Sequence, residues 1–148
     1  MTRIGILSDT HGLLDKRIFE HFKAVDEIWH AGDIGSFELL QTLREFKPTR
    51  AVFGNMDSGD VRYSLSEFYR FRVEDVNVLM THIGGYPGQY MPEVKYILED
   101  KKPDLYICGH SHILNQIPYI FYSSIIPAII NLVLKQLSLS ENSILRLK

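Results

Sequence analysis

The chain has 148 residues, 45% hydrophobic and 23% charged, with a formal net charge of −2. That composition suits a globular protein with one core and offers no broad basic surface for nucleic acid. Cys108 is the only cysteine, which excludes an intramolecular disulfide and a cysteine-based zinc site.

The elements alternate. Thr2–Ser8 reads as a strand. Asp15 is placed to cap a helix whose Ile18, Phe22 and Val25 recur at three- and four-residue spacing. Glu27–Ala31 (EIWHA) reads as a second strand. Ser36 caps a helix with Leu39, Leu40 and Leu43 on one face, stopped by Pro48. Thr49–Phe53 is a third strand, and this βαβαβ order implies a parallel sheet with right-handed crossovers. Phe68–Val73 and Val76–Met80 flank Glu74-Asp75 as a hairpin. Pro92 opens a helix with Val94, Ile97 and Leu98 on a face, and Asp104–Cys108 is a buried strand. The whole reads as one domain over residues 1–148, a mixed sheet system with helices outside.

Five apolar runs end in a metal-capable side chain, usually with glycine beside it: Asp9-Thr10-His11-Gly12, Gly32-Asp33, Gly54-Asn55-Met56-Asp57, Thr81-His82, and Gly109-His110-Ser111-His112. Singly, each has an ordinary explanation as a cap, a turn or a hydrogen-bonded loop histidine. Together they point to one place, because the carboxyl ends of parallel strands gather around a ligand crevice. The donors are Asp9, His11, Asp33, Asn55, His82, His110 and His112, all oxygen or nitrogen. That set suits Mn²⁺, Fe²⁺, Zn²⁺ or Ni²⁺, and is too rich in histidine for Ca²⁺. It is too large for one ion that must also hold substrate. It suits two ions about 3.5–4 Å apart that share a carboxylate and clamp a phosphoryl group. His21 reads as a solvated or edge helix residue, and His30 as a strand residue supporting the site without joining it.

At these blocks, "SDTHG", "HAGDIG", "FGNMD", "MTHIGG" and "CGHSH", the chain resembles the calcineurin-like metallophosphoesterase superfamily. The short spacing and "GNMD" resemble its small branch, the YfcE-type phosphodiesterases. The resemblance covers Met1 to about Leu114. It implies an α/β fold, a four-layer αββα sandwich of two mixed sheets with a dinuclear metal centre at the strand ends. It implies that Asp9, His11, Asp33 and His112 hold one ion and that Asp33, Asn55, His82 and His110 hold the other, with Asp33 bridging. Asp9, His11, Asp33, Asn55 and His82 form its catalytic set. It implies hydrolysis of a small phosphodiester by a two-metal-activated hydroxide, with Mn²⁺ the first expectation and Ni²⁺, Zn²⁺ or Fe²⁺ the alternatives. The other reading is a non-catalytic interaction scaffold of the same fold, as in the retromer subunit. A scaffold would not require a ligand-capable side chain at every one of these positions.

Three departures stand out. Met56 occupies the position where many members of the superfamily carry a histidine that donates a proton or contacts phosphate. Ile83-Gly84 replaces Gly-His in a Gly- and Tyr-containing segment expected to shape the substrate mouth. Beyond about Asn115 the resemblance ends, and residues 115–148 are an atypical C-terminal segment. That break fits a frameshift or truncation scar, or a divergent folded end with Ser143–Leu147 as a closing strand. Within it, Ile117–Leu134 carries no charge, but it is marginal against the roughly 20 apolar residues of a membrane span and is interrupted by Pro118, Pro127 and Asn131. Neither a membrane nor a nucleic-acid partner is expected, and self-association into a homo-oligomer stays open. MTRIGIL meets Asp9 too soon for a signal peptide, so the expected location is cytoplasmic.

Overall fold

The computed structural model describes residues 1–86, 89–110 and 143–146. The first sheet has the order β3-β2-β1-β9, built from β1 (Arg3–Leu7), β2 (Glu27–Ala31), β3 (Thr49–Val52) and β9 (Ser143–Arg146). The β1–β2 and β2–β3 pairs are parallel, and β9 runs antiparallel to β1 with Ile4 opposite Leu145. The second sheet has the order β4-β5-β8, from β4 (Phe68–Val73), β5 (Val76–Thr81) and β8 (Leu105–Ile107). Its β4–β5 pair is the expected antiparallel hairpin, turning where Glu74 takes a φ of 52°, and β5–β8 is parallel. A small third sheet pairs β6 (Gly85–Tyr86) with β7 (Gln89–Tyr90).

The alternation of side chains along the strands decides what each sheet faces. Ile4, Ile6 and Trp29 from the first sheet pack with Val78, Met80 and Ile107 from the second, which makes an apolar layer between the sheets. On the other face of the first sheet, Leu7, Ile28 and Ala51 meet Ile18, Phe22, Leu39, Leu40 and Leu43. Those residues come from α1 (Arg17–His21), the 3₁₀ turn after it (Phe22–Ala24) and α2 (Phe37–Phe46). On the second sheet's far face, Leu79, Tyr106 and Cys108 pack with Val94, Ile97 and Leu98 of α4 (Pro92–Lys101).

Ser36 caps α2 as its sequence implies, its Oγ accepting the Leu39 N–H at 3.1 Å. The first helix departs from expectation. Lys16 takes the cap position, and Asp15 works from one residue further out, accepting the Arg17 N–H at 2.9 Å. The helix then tightens into the 3₁₀ turn, which still buries Phe22 and, just after it, Val25. A short helix, α3 (Gly59–Ser64), follows the third strand where no element is expected. A closing strand is present at Ser143–Arg146. His112, Ile117–Leu134 and the rest of 111–142 lie outside the described residues. Among the described residues, no helix is long and apolar enough to cross a membrane.

Candidate metal centre

Backbone hydrogen bonds continue past the ends of β1 and β2 and zip their loops together. The Asp9 N–H donates to the Gly32 carbonyl (3.0 Å), His11 N–H to Asp33 (2.9 Å) and Gly12 N–H to Ile34 (2.7 Å). In the second sheet, Gly109 N–H donates to the His82 carbonyl at 3.1 Å and brings His110 beside His82. The two imidazole rings meet edge to face with centroids 5.1 Å apart. Two contacts then join the sheets at this end. His82 Nδ1 lies 2.7 Å from the Ala31 carbonyl, and the His110 N–H donates to Asp9 Oδ2 at 3.2 Å.

The result is two groups of donors sharing one residue. Asp9, His11 and Asp33 offer atoms within 4.8 Å of one another, and so do Asp33, His82 and His110. Asn55 lines a cleft with His82. Six of the seven expected ligands therefore belong to described residues, and five of them converge in these two groups around Asp33.

The protonation pattern at His82 tests whether a cation fits. A carbonyl only accepts, so the 2.7 Å contact to Ala31 fixes the hydrogen of the imidazole on Nδ1. Nε2, on the other side of the ring, then faces Asp33 Oδ2 at 3.2 Å and Asp9 Oδ1 at 3.9 Å. His82 and Asp33 are each 2% exposed, and among the described residues His82 Nε2 has no hydrogen-bond partner. An imidazole nitrogen facing two carboxylates calls for a cation between them, either a proton or a metal ion. A carbonyl-held Nδ1–H is also how metal-binding histidines are commonly oriented. The residues present fit divalent metal ions.

The backbone is shaped for this convergence. Asp9 (φ 57°), His11 (47°), Asp33 (54°) and His110 (76°) all adopt the left-handed conformation. Non-glycine residues there cost about 1–2 kcal/mol each, and such outliers cluster at functional sites. Gly32, at φ 91°, lies so close to His82 that a Cβ would come within 2.6 Å of the ring. A Cβ on Gly54 would overlap the Asp33 carboxylate.

Three groups that are not ligands hold the site. Asp57, 4% exposed, accepts from Ile34 N–H (3.1 Å), Gly35 N–H (2.7 Å) and Gly54 N–H (2.8 Å), and so ties the β2 and β3 loops together. Ser8 Oγ lies 2.5 Å from Asp9 Oδ2 and orients that carboxylate. Thr10 donates to the Ile34 carbonyl at 3.1 Å and takes the Nε2–H of His30 at 2.9 Å. His30 is fully buried in a supporting place, as expected, and His21 is exposed. Asp57 stands in the quoted "FGNMD" block, but its role is unreadable there because two of its three donors come from another loop. Of the segment after His82, Pro87 and Gly88 lie outside the described residues. Ile83 lines the cleft, whereas Gly84 packs against Tyr106 and Cys108 on the α4 side.

Burial pushes the His30 imidazole down to about 4, against the opposing pull of the Asp57 and Asp9 carboxylates. The unfolded chain takes up this proton near 6.5 and the folded one only near 4. The stability His30 contributes is therefore full above pH 6.5 and is lost as the pH falls towards 4, by about 3 kcal/mol. Urea unfolding of metal-free protein between pH 7 and 4.5 should show that fall. His30→Gln, which keeps a donor for Thr10, should flatten it. An unchanged slope in the variant would assign the acid sensitivity to other groups.

Comparison with known proteins agrees with this geometry. Residues 2–121 match the calcineurin-like phosphoesterase superfamily domain. A probable metallophosphoesterase of Methanothermobacter thermautotrophicus is 32% identical over 117 residues, which cover 74% of this chain and 66% of that protein, just under two thirds of its length. The fold is shared with Vps29 from Entamoeba histolytica in complex with zinc (TM-score 0.62, 16% identity, 96% of this chain and 89% of that one). It is also shared with an archaeal phosphodiesterase (TM-score 0.60, 21% identity, 81% of each chain). With the family domain matched over most of its length and the donor blocks folded into one site, the chain belongs to the calcineurin-like phosphoesterase superfamily.

Proposed function

We propose that the protein is a metal-dependent phosphodiesterase with a dinuclear centre, built as a four-layer αββα sandwich. The layering is supported by the three apolar clusters, one between the sheets and one under the helices on each outer face. The observation that carries the function is the sharing of Asp33 by two donor groups. Two divalent ions, Mn²⁺ first among them, supply Lewis-acid activation of water and neutralise charge on the phosphoryl oxygens when bound.

The chain's residues do the rest. Asp33 stands between the two groups with its Oδ1 fixed by the Met56 N–H at 2.8 Å. Ser8 and the His110 N–H hold Asp9, and Ala31 holds His82. Asn55 and His112 complete the expected ligand set, one for each ion. The Met56 side chain is 64% exposed beside the site and has no proton to give. A leaving group must depart as its own anion, which favours activated diesters over esters with poor leaving groups. The scaffold reading is less well supported, because likeness to Vps29 concerns the fold alone and a scaffold needs no converging donors.

The test is a set of phosphodiesters and phosphomonoesters assayed on chelator-stripped protein with Mn²⁺, Ni²⁺, Zn²⁺ or Mg²⁺ added separately. Metal-dependent hydrolysis of aryl diesters, faster than of alkyl monoesters, is expected. Inactivity with every metal, or faster turnover of an alkyl monoester, would refute the proposal. Met56→His should raise turnover of alkyl diesters about ten- to a hundredfold while changing p-nitrophenyl diesters little. Equal gains on both substrates would mean that position 56 does not act on the leaving group.

A further inference from the structure

The cleft beside Asn55 and His82 is also lined by Phe53, Arg62, Glu67 and Ile83, none of which is a metal-ligand candidate. Arg62, on α3, lays its guanidinium over the Phe53 ring at 4.2 Å from the ring centre. The guanidinium carbon thus lies against an aromatic ring, and the residue is otherwise exposed at the cleft. We propose that Arg62, held over the ring of Phe53, is a specificity-determining residue that stacks on a planar single-ring arm of the substrate, aryl or pyrimidine, while the phosphoryl group sits at the donor cluster. This rests on the phosphodiesterase reading of the site.

Three observations shape the proposal. A guanidinium already packed on one ring is pre-organised to take a second on its other face, with little side-chain freedom left to lose. The cleft volume, about 100 Å³, is of the same order as the ~150 Å³ cavity that accommodates benzene. Glu67 lines the same cleft with opposite charge, so the cleft has no net positive charge to hold a second phosphate. It does offer an acceptor to ring N–H or amino groups.

The experiment compares phenyl p-nitrophenyl phosphate with methyl p-nitrophenyl phosphate, which release the same leaving group and differ only in the arm that stays. Arg62→Ala should reduce the phenyl-over-methyl preference in kcat/KM about five- to tenfold, mainly through KM. Arg62→Lys keeps the charge but loses the plane, and should lose most of the preference too. Arg70→Ala, on β4 away from the cleft, should keep it. In parallel, calorimetry on Mn²⁺-loaded protein should show phenyl phosphate binding more tightly than methyl phosphate, and Arg62→Ala should erase the difference. If no ester is hydrolysed, the phosphodiesterase reading fails, and the binding comparison still decides the role of Arg62. Equal binding of the two phosphates, or an Arg62→Ala preference equal to wild type, would reduce the Phe53–Arg62 contact to surface packing.

Discussion

Asp33→Ala should empty both metal sites, lowering the affinity of each by more than about 100-fold, while Asn55→Ala should mainly weaken one. Replacing groups that merely orient a ligand costs about 10–100-fold, and Asp33 is the one residue common to both donor groups. The carboxylate is 2% exposed, 3.2 Å from His82 Nε2 and fixed by the Met56 N–H. The readout is metal content after equilibrium dialysis, with anomalous scattering to count ions in the wild type. Asp33→Asn keeps the shape, so loss of metal from a variant that still melts cooperatively would separate ligation from folding. Gly54→Ala should act in the same direction more weakly, by pressing a methyl group against the Asp33 carboxylate. One ion in the saturated wild type, or one site at full affinity in Asp33→Ala, would exclude the bridging role.

The elements most legible from sequence are those whose pattern is dictated by burial. EIWHA is found as β2 residue for residue, because Ile28, Trp29 and Ala31 fill the apolar layers on the two faces of the sheet. Leu39, Leu40 and Leu43 with a serine cap are found as α2 for the same reason. By contrast, α3 buries only Val61 in a six-residue stretch with Asp60, Arg62, Tyr63 and Ser64, so no helical period can show. The first helix is shorter than its apolar spacing implies because Ile18, Phe22 and Val25 are buried equally by a short helix followed by a 3₁₀ turn.

At the site, the donors are legible because every block ends a strand and all but Thr81-His82 carry a glycine, a conjunction that local structure alone rarely requires. The groups holding those donors are not. Asp57 reads as a turn residue three places after Gly54. Its two other donors, Ile34 and Gly35, lie over twenty residues earlier and reach it only because β2 and β3 are parallel neighbours. The left-handed backbone at Asp9, His11, Asp33 and His110 is hidden in the same way, since it follows from loops zipped to each other.

Asp57→Ala should therefore be the most destabilising change near the site, costing about 3–5 kcal/mol in metal-free protein. The carboxylate accepts three backbone N–H groups, and each donor left buried without a partner costs about 1–3 kcal/mol. Water entering the gap offsets part of that sum, but domains of this size are stable by only about 5–15 kcal/mol. The change should be felt at the metals as well, because Asp57 binds the N–H of Ile34, next to Asp33, and of Gly54, next to Asn55. Asp57→Asn keeps one acceptor oxygen but sets an amide against an N–H, so it should lose about half as much. The measurements are denaturant melts of both metal-free variants and Mn²⁺ titrations of whichever folds. A loss under about 1 kcal/mol for Asp57→Ala, with unaltered metal affinity, would show that the two loops are held together by other contacts.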